Sequence, residues 1–369
     1  MKKNKILMIS SSAKLGGGPL HMFRLSELIS SKFNIVYAIP KSNDYSKYLS
    51  KENHINISER KLNVRDLIKI YRFSKDKNID IIHAHGKGAG VIARIIKIFN
   101  NKPLIFTFHG IHLKCHSKLV KFFYILYENI FGLLDTFKVF VSNSEKLYAE
   151  RSNLFIGRNF AIINNGVKNK QLKEDKRSYE EIYYEKYKII KRDLNIISIC
   201  RFVPQKNIDE IFSIASKLSN YNFIILGDGE LFYKFQLLKE RLNIRNIYLI
   251  GKVHNIYEHL YSSDLFLSTS LYEGLPLSLI EAMSIGLPII ATNVVGNIDA
   301  IEHGKSGYLY DLGDLNKAID HINDLAVSKS LRKNIGINSY TRQRSKFSEE
   351  FMAKNYINLF TKIVNKNEF

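Results

Sequence analysis

Two glutamates stand eight residues apart in an otherwise apolar stretch, SLYEGLPLSLIEAMSIGLPII, which runs from Ser270 to Ile290. The interior of a protein normally excludes unpaired carboxylates, so Glu273 and Glu281 are expected either to face water or to hold a ligand. Carboxylates accept hydrogen bonds from vicinal hydroxyl groups such as those of a ribose or a sugar ring. The pair therefore indicates a binding site for a polyol.

The position of the two glutamates follows from the elements around them. Leu265–Ser268 is predicted as a strand, and Pro276 suits the first turn of a helix that continues to Gly286. Glu273 then lies in the loop after a strand, and Glu281 lies about a turn into the next helix. Backbone N–H groups at the start of that helix suit a phosphate. The residues expected to contact the phosphorylated ligand here are Gly274, Leu275, Pro276 and Leu277.

Two cations follow an earlier predicted strand, Ile196–Cys200, in the stretch ICRFVPQKN. Arg201 stands at the end of the strand, and Lys206 stands just before a helix that opens at Asn207. A guanidinium and an ammonium at this spacing can neutralise a diphosphate, including the charge that develops when a diphosphate leaves.

Two further strand ends carry residues suited to a ligand. Gly227, in ILGDGE, allows close approach of the backbone, and Val253, in LIGKVHN, lies in a loop suited to the edge of a nucleobase. Because ligands of open α/β sheets bind at the carboxyl ends of the strands, these residues and the four charged ones are expected to form one site.

The first half of the chain has its own glycine-rich turn, SSSAKLGGGPLH, between a strand and a helix. Gly16, Gly17 and Gly18 do not fit the dinucleotide pattern G-x-G-x-x-G, so the turn is predicted to contact an acceptor or a phosphate instead of NAD.

Histidines cluster at strand ends in IDIIHAHG and IFTFHG. His83 and His85 are expected to face opposite sides of their strand, and no carboxylate or thiol accompanies them, so no metal site is predicted. His109, which precedes Gly110, is predicted to contact substrate, and His85 is assigned to the acceptor side. His112 and His116 follow His109 in the sequence.

Short apolar strands alternate with helix-length segments along the whole chain, which predicts parallel sheets covered by helices on both faces. A charged, tyrosine-rich stretch separates two such series. The expected organisation is a first doubly wound domain over residues 1–168, a linker over 169–194 and a second domain over 195–349, with a helix at about 350–369 packing back on the first. The apolar segment 118–142 is interpreted as core in preference to a membrane-facing helix.

The composition supports a globular protein of two domains, with 369 residues of which 45% are hydrophobic. Two cysteines, no secretory signal and no apolar run of membrane-spanning length predict a cytoplasmic protein. Residues 1–190 contain 34 Lys and Arg against 16 Asp and Glu, a net charge of +18, whereas the remainder carries only +2. The basic half favours an anionic partner: nucleic acid, an anionic membrane or a phosphate-bearing substrate.

Taken together, these motifs resemble the family-4 retaining glycosyltransferases of the GT-B fold, in which two Rossmann-like domains face each other across a cleft. The resemblance extends over nearly the whole chain and includes HAHG, TFHG, VSNSEKL, IINNGVK and YEGLPLSLIEAMSIGLPIIAT. Its specific part is the pair of glutamates in the Gly-Leu-Pro context. The stretch VVGN departs from the pattern, because Val295 stands where the family usually has a first glycine, and Asp299 stands where a glutamate is common.

The resemblance implies metal-independent, cofactor-free transfer of a sugar from a nucleotide diphosphate sugar, with UDP expected, to a saccharide or lipid-diphosphate-linked acceptor of surface polysaccharide or lipopolysaccharide synthesis. It implies that Glu281 holds the ribose of the donor and that Glu273 faces the transferred sugar. Arg201 and Lys206 would clamp the diphosphate, and His109 would lie near the donor sugar or the acceptor. The basic first half would then favour peripheral attachment to the anionic cytoplasmic face of the inner membrane.

Two other classes of function stay open. The same fold can serve a nucleotide-sugar epimerase or a phosphorylase, since a fold alone does not decide the chemistry. A basic nucleic-acid-binding protein is the other, but the chain shows neither a reading motif nor basic residues interleaved with aromatics on one face, so no nucleic-acid partner is expected.

Overall fold

The computed structural model describes residues 3–13, 16–41, 45–111, 113, 117–171 and 184–366. The chain divides into two compact units. The first unit comprises Met1–Gly166 and Glu349–Phe369, and the second comprises Val167–Ser348. The segment expected as a linker, as far as it is described, is thus grouped with the second unit. His112, His116 and residues 172–183 lie outside the described residues.

The first unit is built on a parallel sheet of seven strands in the order β3-β2-β1-β4-β5-β6-β7. The strands are β1 (Lys5–Ile9), β2 (Asn34–Ile39), β3 (His54–Asn56), β4 (Ile81–His85), β5 (Leu104–Thr107), β6 (Phe137–Phe140) and β7 (Phe160–Ile162). The helices are α1 (Gly17–Ile29), α2 (Val64–Asp76), α3 (Lys87–Asn100), α4 (Lys118–Phe131) and α5 (Asn143–Arg151).

Both faces of this sheet are buried, which explains the continuous apolar runs of its strands. Along β1, Leu7 and Ile9 belong to one core cluster, whereas Ile6 and Met8 belong to another on the opposite face. The second cluster also contains Tyr356 and other residues of the last helix of the chain, Glu349–Lys366, which packs against α1.

The second unit repeats the plan with six parallel strands in the order β10-β9-β8-β11-β12-β13. They are β8 (Leu194–Ile199), β9 (Tyr221–Leu226), β10 (Ile247–Gly251), β11 (Leu265–Ser268), β12 (Ile289–Thr292) and β13 (Gly307–Tyr310). The helices are α6 (Ile208–Lys217), α7 (Phe232–Arg241), α8 (Ile256–Tyr261), α9 (Leu277–Met283), α10 (Asn297–Ala300), α11 (Leu315–Val327) and α12 (Lys329–Lys346); the last helix, of the first unit, is α13.

The predicted fold class of two doubly wound α/β domains is confirmed. In each sheet the strand order reverses beside the first strand, between β1 and β4 and between β8 and β11. A crevice forms at the carboxyl edge of such a switch point, since the connecting helices leave to opposite faces of the sheet. The loops after β1, β4, β8 and β11 are therefore the places where each unit can bind a ligand.

The interpretation of residues 118–142 as core is wrong for the helical part. Of the α4 residues only Glu128 is fully buried; Tyr124, Ile125 and Tyr127 are half-buried, and the other apolar side chains of this helix are exposed. The physical reason is an ion pair between Glu128 and Arg94 of α3, whose Nη2 lies 2.8 Å from the Glu128 carboxylate. This pair turns the polar side of α4 inward and its apolar side outward.

Candidate active site

At the switch point of the second sheet, the loop after β11 meets the turn after β8. Lys206 ends a short 3-10 turn, and its Nζ forms an ion pair with Oε1 of Glu273. Both side chains are largely buried, with 14% of the lysine and 8% of the glutamate side chain exposed. A pair of opposite charges is thus held at the edge where a ligand of this fold binds.

Hydrogen bonds tie the two loops together. The Thr269 hydroxyl donates to the backbone carbonyls of Lys206 and Asn207, at 2.9 and 3.0 Å. The side-chain amide of Gln205 donates to the Tyr272 carbonyl at 2.8 Å, and the backbone N–H of Leu271 donates to the Gln205 carbonyl at 2.9 Å. The Lys206–Glu273 pair is therefore positioned by backbone contacts on both sides.

Gly296 packs directly against the loop that carries Glu273. Its φ is +86°, and an added Cβ would lie 2.5 Å from the Gly274 carbonyl oxygen and 3.1 Å from the Glu273 Cβ. No other residue type fits here without moving the Glu273 loop. Sequence reasoning noted only the unusual Val295 in VVGN; the glycine that follows it was the available signal.

Glu281 lies in the middle of α9, which begins directly after Pro276 as predicted, and it is buried with 5% of its surface exposed. A buried carboxylate on the helix that follows the Glu273 loop is consistent with a polar ligand contact. Buried carboxylates also occur as purely structural hydrogen-bond acceptors, so the burial of Glu281 does not by itself assign it a ligand.

The remaining residues predicted for the donor lie at neighbouring strand ends of the same sheet. Gly227 has a φ of +130°, and an added Cβ there would lie 1.9 Å from the Cys200 carbonyl oxygen. This close contact holds the ends of β8 and β9 together. Arg201 is exposed and takes no part in the ion pair of Lys206 and Glu273, and Val253 is half-buried in the loop after β10.

A small cavity lined by Ser198, Cys200, Lys206, Thr269 and Ser270, among others, lies beside the ion pair. Burial raises the pKa of the Cys200 thiol to about 12. The thiol is therefore protonated at neutral pH and is a poor nucleophile.

The first sheet gathers histidines at its own switch point. His83 and His85 were expected on opposite faces of their strand, which is wrong: their ring centroids are 4.0 Å apart. Residues two apart in a strand share a face, because side chains alternate with a period of two. His85 Nδ1 lies 3.2 Å from His109 Nε2, and His83 Nε2 lies 2.8 Å from the Thr107 hydroxyl.

These histidines are neutral at pH 7. Burial, and secondarily the neighbouring His109, lowers the pKa of His83 to about 3, and burial lowers the pKa of His109 to about 4. Burial also lowers the pKa values of His21 and His85, with further lowering from the surrounding imidazoles. Each ring can consequently donate one hydrogen bond and accept one.

His21, in the second turn of α1, also belongs to this cluster. The sequence did not indicate it, although His21 directly follows the glycine-rich turn in GGGPLH. His21, His85 and His109 each place one ring nitrogen within 4.8 Å of the others, and no other such group occurs in the part of the chain that the structure describes. Neutral imidazoles suit zinc and related metals. The sequence-based expectation of a metal-free protein stays a prediction.

The glycine turn lies against this cluster. An added Cβ at Gly18 would contact the His109 ring at 3.6 Å, and Gly16 and Gly17 lead into α1 beside it. Glu145, also missed, is buried and accepts hydrogen bonds from the backbone N–H of Gly110 at 2.6 Å and of Val141 at 3.0 Å. It fixes the turn that carries His109.

The fold and the residues at the carboxyl edges of the two sheets indicate a class of protein. Residues 16–171 match the family model described as Glycosyltransferase Family 4, and residues 179–342 match that described as Glycosyl transferases group 1. The chain belongs to the family-4 glycosyltransferases of the GT-B fold, as its motifs suggested.

Curated relatives agree on the activity. The chain is 30% identical over 274 residues to the Escherichia coli UDP-Gal:alpha-D-GlcNAc-diphosphoundecaprenol alpha-1,3-galactosyltransferase, covering 70% of this chain and 69% of that enzyme. It is 24% identical to the capsular polysaccharide biosynthesis glycosyltransferase CapM of Staphylococcus aureus, over 100% of both chains.

Solved structures agree on the fold. The complex of Anabaena HepE with UDP-glucose superposes with a TM-score of 0.84 at 18% identity, covering 97% of this chain and 99% of that one. WaaG, a glycosyltransferase involved in lipopolysaccharide biosynthesis, gives a TM-score of 0.75 at 14% identity, covering 95% and 98%.

Proposed function

We propose that this glycosyltransferase moves a sugar from a UDP-sugar to a hydroxyl of a saccharide or lipid-diphosphate-linked saccharide, with retention of the anomeric configuration and without an essential metal. The single observation that carries the proposal is the buried Lys206–Glu273 pair at the switch point of the second sheet. A polyol diphosphate needs both a cation and a hydrogen-bond acceptor at such an edge.

The predicted site residues of the second unit have distinct roles toward the phosphates, the sugar and the nucleoside of the donor. Lys206 and Arg201 bind the diphosphate and stabilise the charge that grows on it as it leaves. Glu273 accepts hydrogen bonds from the hydroxyls of the transferred sugar, and Glu281 accepts those of the ribose. Gly227 and Val253 border the nucleotide.

The acceptor is handled by the first unit. His109 and His85, neutral at pH 7, contact the acceptor beside the turn of Gly16, Gly17 and Gly18. The acceptor oxygen attacks the anomeric carbon on the face from which the diphosphate departs. One C–O bond forms as the C–O bond to the phosphate breaks, and the acceptor proton passes to the leaving phosphate oxygen.

The charge distribution supports attachment of the first unit to an anionic membrane surface. Residues 1–190 carry +18, and each cation near such a surface contributes about 1 kcal/mol. No helix within the described residues has the length and apolar character needed to cross a bilayer. Attachment is therefore expected to be peripheral and to weaken at high salt.

The test begins with a screen of UDP- and GDP-sugars for thermal stabilisation, followed by transfer assays on the sugars that bind. Glu273→Gln is expected to lose nearly all transfer while UDP still stabilises the protein, because the amide keeps the size of the side chain but removes its charge. Glu281→Ala is expected to weaken UDP itself. Glu240→Gln, an exposed glutamate on α7, is the matched control and should transfer normally.

Unchanged turnover in Glu273→Gln would remove this residue from the site. Release of a free epimerised sugar without any acceptor would favour an epimerase of the same fold. NMR of the product decides whether the anomeric configuration is retained, and trapping of a covalent glycosyl-enzyme would overturn the same-face mechanism.

A further inference from the structure

Helix α4 presents an apolar surface to the exterior. Its outward side chains are between 42% and 65% exposed. They are Leu119, Phe122, Phe123, Leu126, Ile130 and Phe131. A helix on the surface of a water-soluble unit normally has the opposite pattern, with its apolar stripe against the core. An apolar patch of several aromatic and aliphatic side chains marks a surface that something covers.

The inward side of α4 carries Glu128, which is buried and paired with Arg94 of α3. Arg94 donates through Nη2 to Glu128 and, with Nε, to both oxygens of Asp135, at distances between 2.8 and 3.0 Å. The Arg94 guanidinium also lies 4.8 Å from the Phe106 ring centre. This network attaches α4 to α3, and Tyr124 and Ile125 of α4 also pack against the core, so the outward apolar residues are not needed to hold α4 in place.

The charges around the patch select the kind of partner. The sole acidic residue of α4 is Glu128, which is buried, whereas Lys118 and Lys121 are exposed on the same helix. The first unit as a whole has 30 Lys and Arg against 14 Asp and Glu, a net charge of +16. A second copy of the chain would carry the same positive charge and be repelled, whereas the surface of an anionic phospholipid membrane would attract this unit.

The length of the helix fixes how it would meet a bilayer. Fourteen residues of helix span about 21 Å, whereas crossing the hydrocarbon core takes about 20 residues. A helix with aromatic residues on one side and lysines beside them lies in the plane of the interface instead.

We propose that α4 inserts its apolar side into the headgroup region of an anionic phospholipid membrane and so docks the first unit there. The inference deepens the proposed function, on which it rests for the lipid-linked acceptor. It assigns the attachment to one helix in addition to the diffuse positive charge.

The chain contains no tryptophan, so one introduced tryptophan reports on its own surroundings. Phe123→Trp is expected to show a blue-shifted emission with phosphatidylglycerol-containing vesicles, and quenching by brominated acyl chains. Tyr233→Trp, on α7 of the second unit and similarly exposed at 68% against 58%, is the matched control and should show neither. An unshifted emission of the Phe123→Trp variant in the presence of vesicles would overturn the proposal.

Binding is measured by co-sedimentation with the same vesicles. Phe122→Ser with Phe123→Ser is expected to weaken vesicle binding about tenfold or more, since each phenylalanine loses most of its apolar burial. Tyr233→Ser with Leu237→Ser removes a comparable exposed pair from the second unit and should leave binding unchanged. Equal losses in the two double variants would overturn the assignment to α4.

Two further measurements separate the remaining outcomes. Light scattering without vesicles is expected to give the same mass for the wild type and the phenylalanine double variant. A larger wild-type mass that the double substitution abolishes would show a second copy on α4 and overturn the proposal. UDP stabilisation and transfer to a water-soluble acceptor are expected to survive the substitutions. If vesicles bind but no nucleotide sugar does, the proposed function fails while the membrane surface stands.

Discussion

Gly296 offers the sharpest test of how the Glu273 loop is held, because a single methyl group can be added beneath it. In Gly296→Ala the new Cβ would lie 2.5 Å from the Gly274 carbonyl oxygen. Carbon contacts are comfortable at about 3.5 Å, so the loop must move by about 1 Å. A displacement of this size in Glu273, which we propose contacts the reacting sugar, should cost on the order of 100-fold in rate. The expected result is a turnover lowered by about that factor.

A positive φ alone also penalises alanine, so the control must share it. Gly304 has φ +74° against +86° for Gly296, but an added Cβ at Gly304 would meet nothing within 4 Å. Both alanine variants should lose stability from the positive φ, by about 1–2 kcal/mol in the left-handed helical region and by more at Gly296, whose ψ of −46° lies outside that region. Only Gly296→Ala should lose further stability and turnover.

The assay compares thermal unfolding and the steady-state transfer kinetics of the two variants with one UDP-sugar. The KM for the donor should also rise, because the displaced loop carries Gly274, which is predicted to contact the phosphorylated donor. Equal kinetics in Gly296→Ala and Gly304→Ala would refute the reasoning, since the loop would then have room that the structure denies it.

Two further predictions concern stability. Arg94→Ala should destabilise the first unit by about 3–5 kcal/mol in denaturant unfolding, because it leaves Glu128 buried without its ion-pair partner and Asp135 with Lys138 alone. The exposed Arg72→Ala should change little. The pKa values of His83, His109 and His259 are lowered to about 3, 4 and 4, so between pH 6.5 and 4 the unfolded chain binds more protons and stability falls as the pH falls. The slope is up to about 1.4 kcal/mol per pH unit for each histidine, and a thermal midpoint that stays constant over this range would contradict it.

The order of elements could be predicted from the sequence because parallel strands buried on both faces appear as short continuous apolar runs. Two strands of the structure were not predicted by this pattern. β3, His54–Asn56, has three residues of which none is buried, and β13 is the short edge stretch Gly307–Tyr310. An edge strand has one neighbour and needs less apolar surface, so its sequence resembles a loop.

The site could be predicted as far as it depends on strand ends. Lys206 and Glu273 come from loops after β8 and β11, and the rule that ligands bind at the carboxyl edge brings them together without further information. His21 and Glu145 were missed because their partners are distant in sequence: His109 for the first and the Gly110 backbone for the second. The orientation of α4 was missed for the same reason, since it is set by an arginine 34 residues before Glu128.

The Lys206–Glu273 ion pair also bears on how a donor would bind. A buried ion pair is costly to break by deleting one partner, because the other charge is left uncompensated. Under the proposed function a diphosphate sugar would avoid this cost, since its phosphates would pair with the Lys206 ammonium while the hydroxyls of its sugar donate to Glu273. Each buried group exchanges one partner for another. It follows that Glu273→Gln, which frees Lys206 from its carboxylate, should bind UDP at least as tightly as the wild type; a weaker UDP affinity in calorimetry would mean that the two groups do not exchange partners in this way.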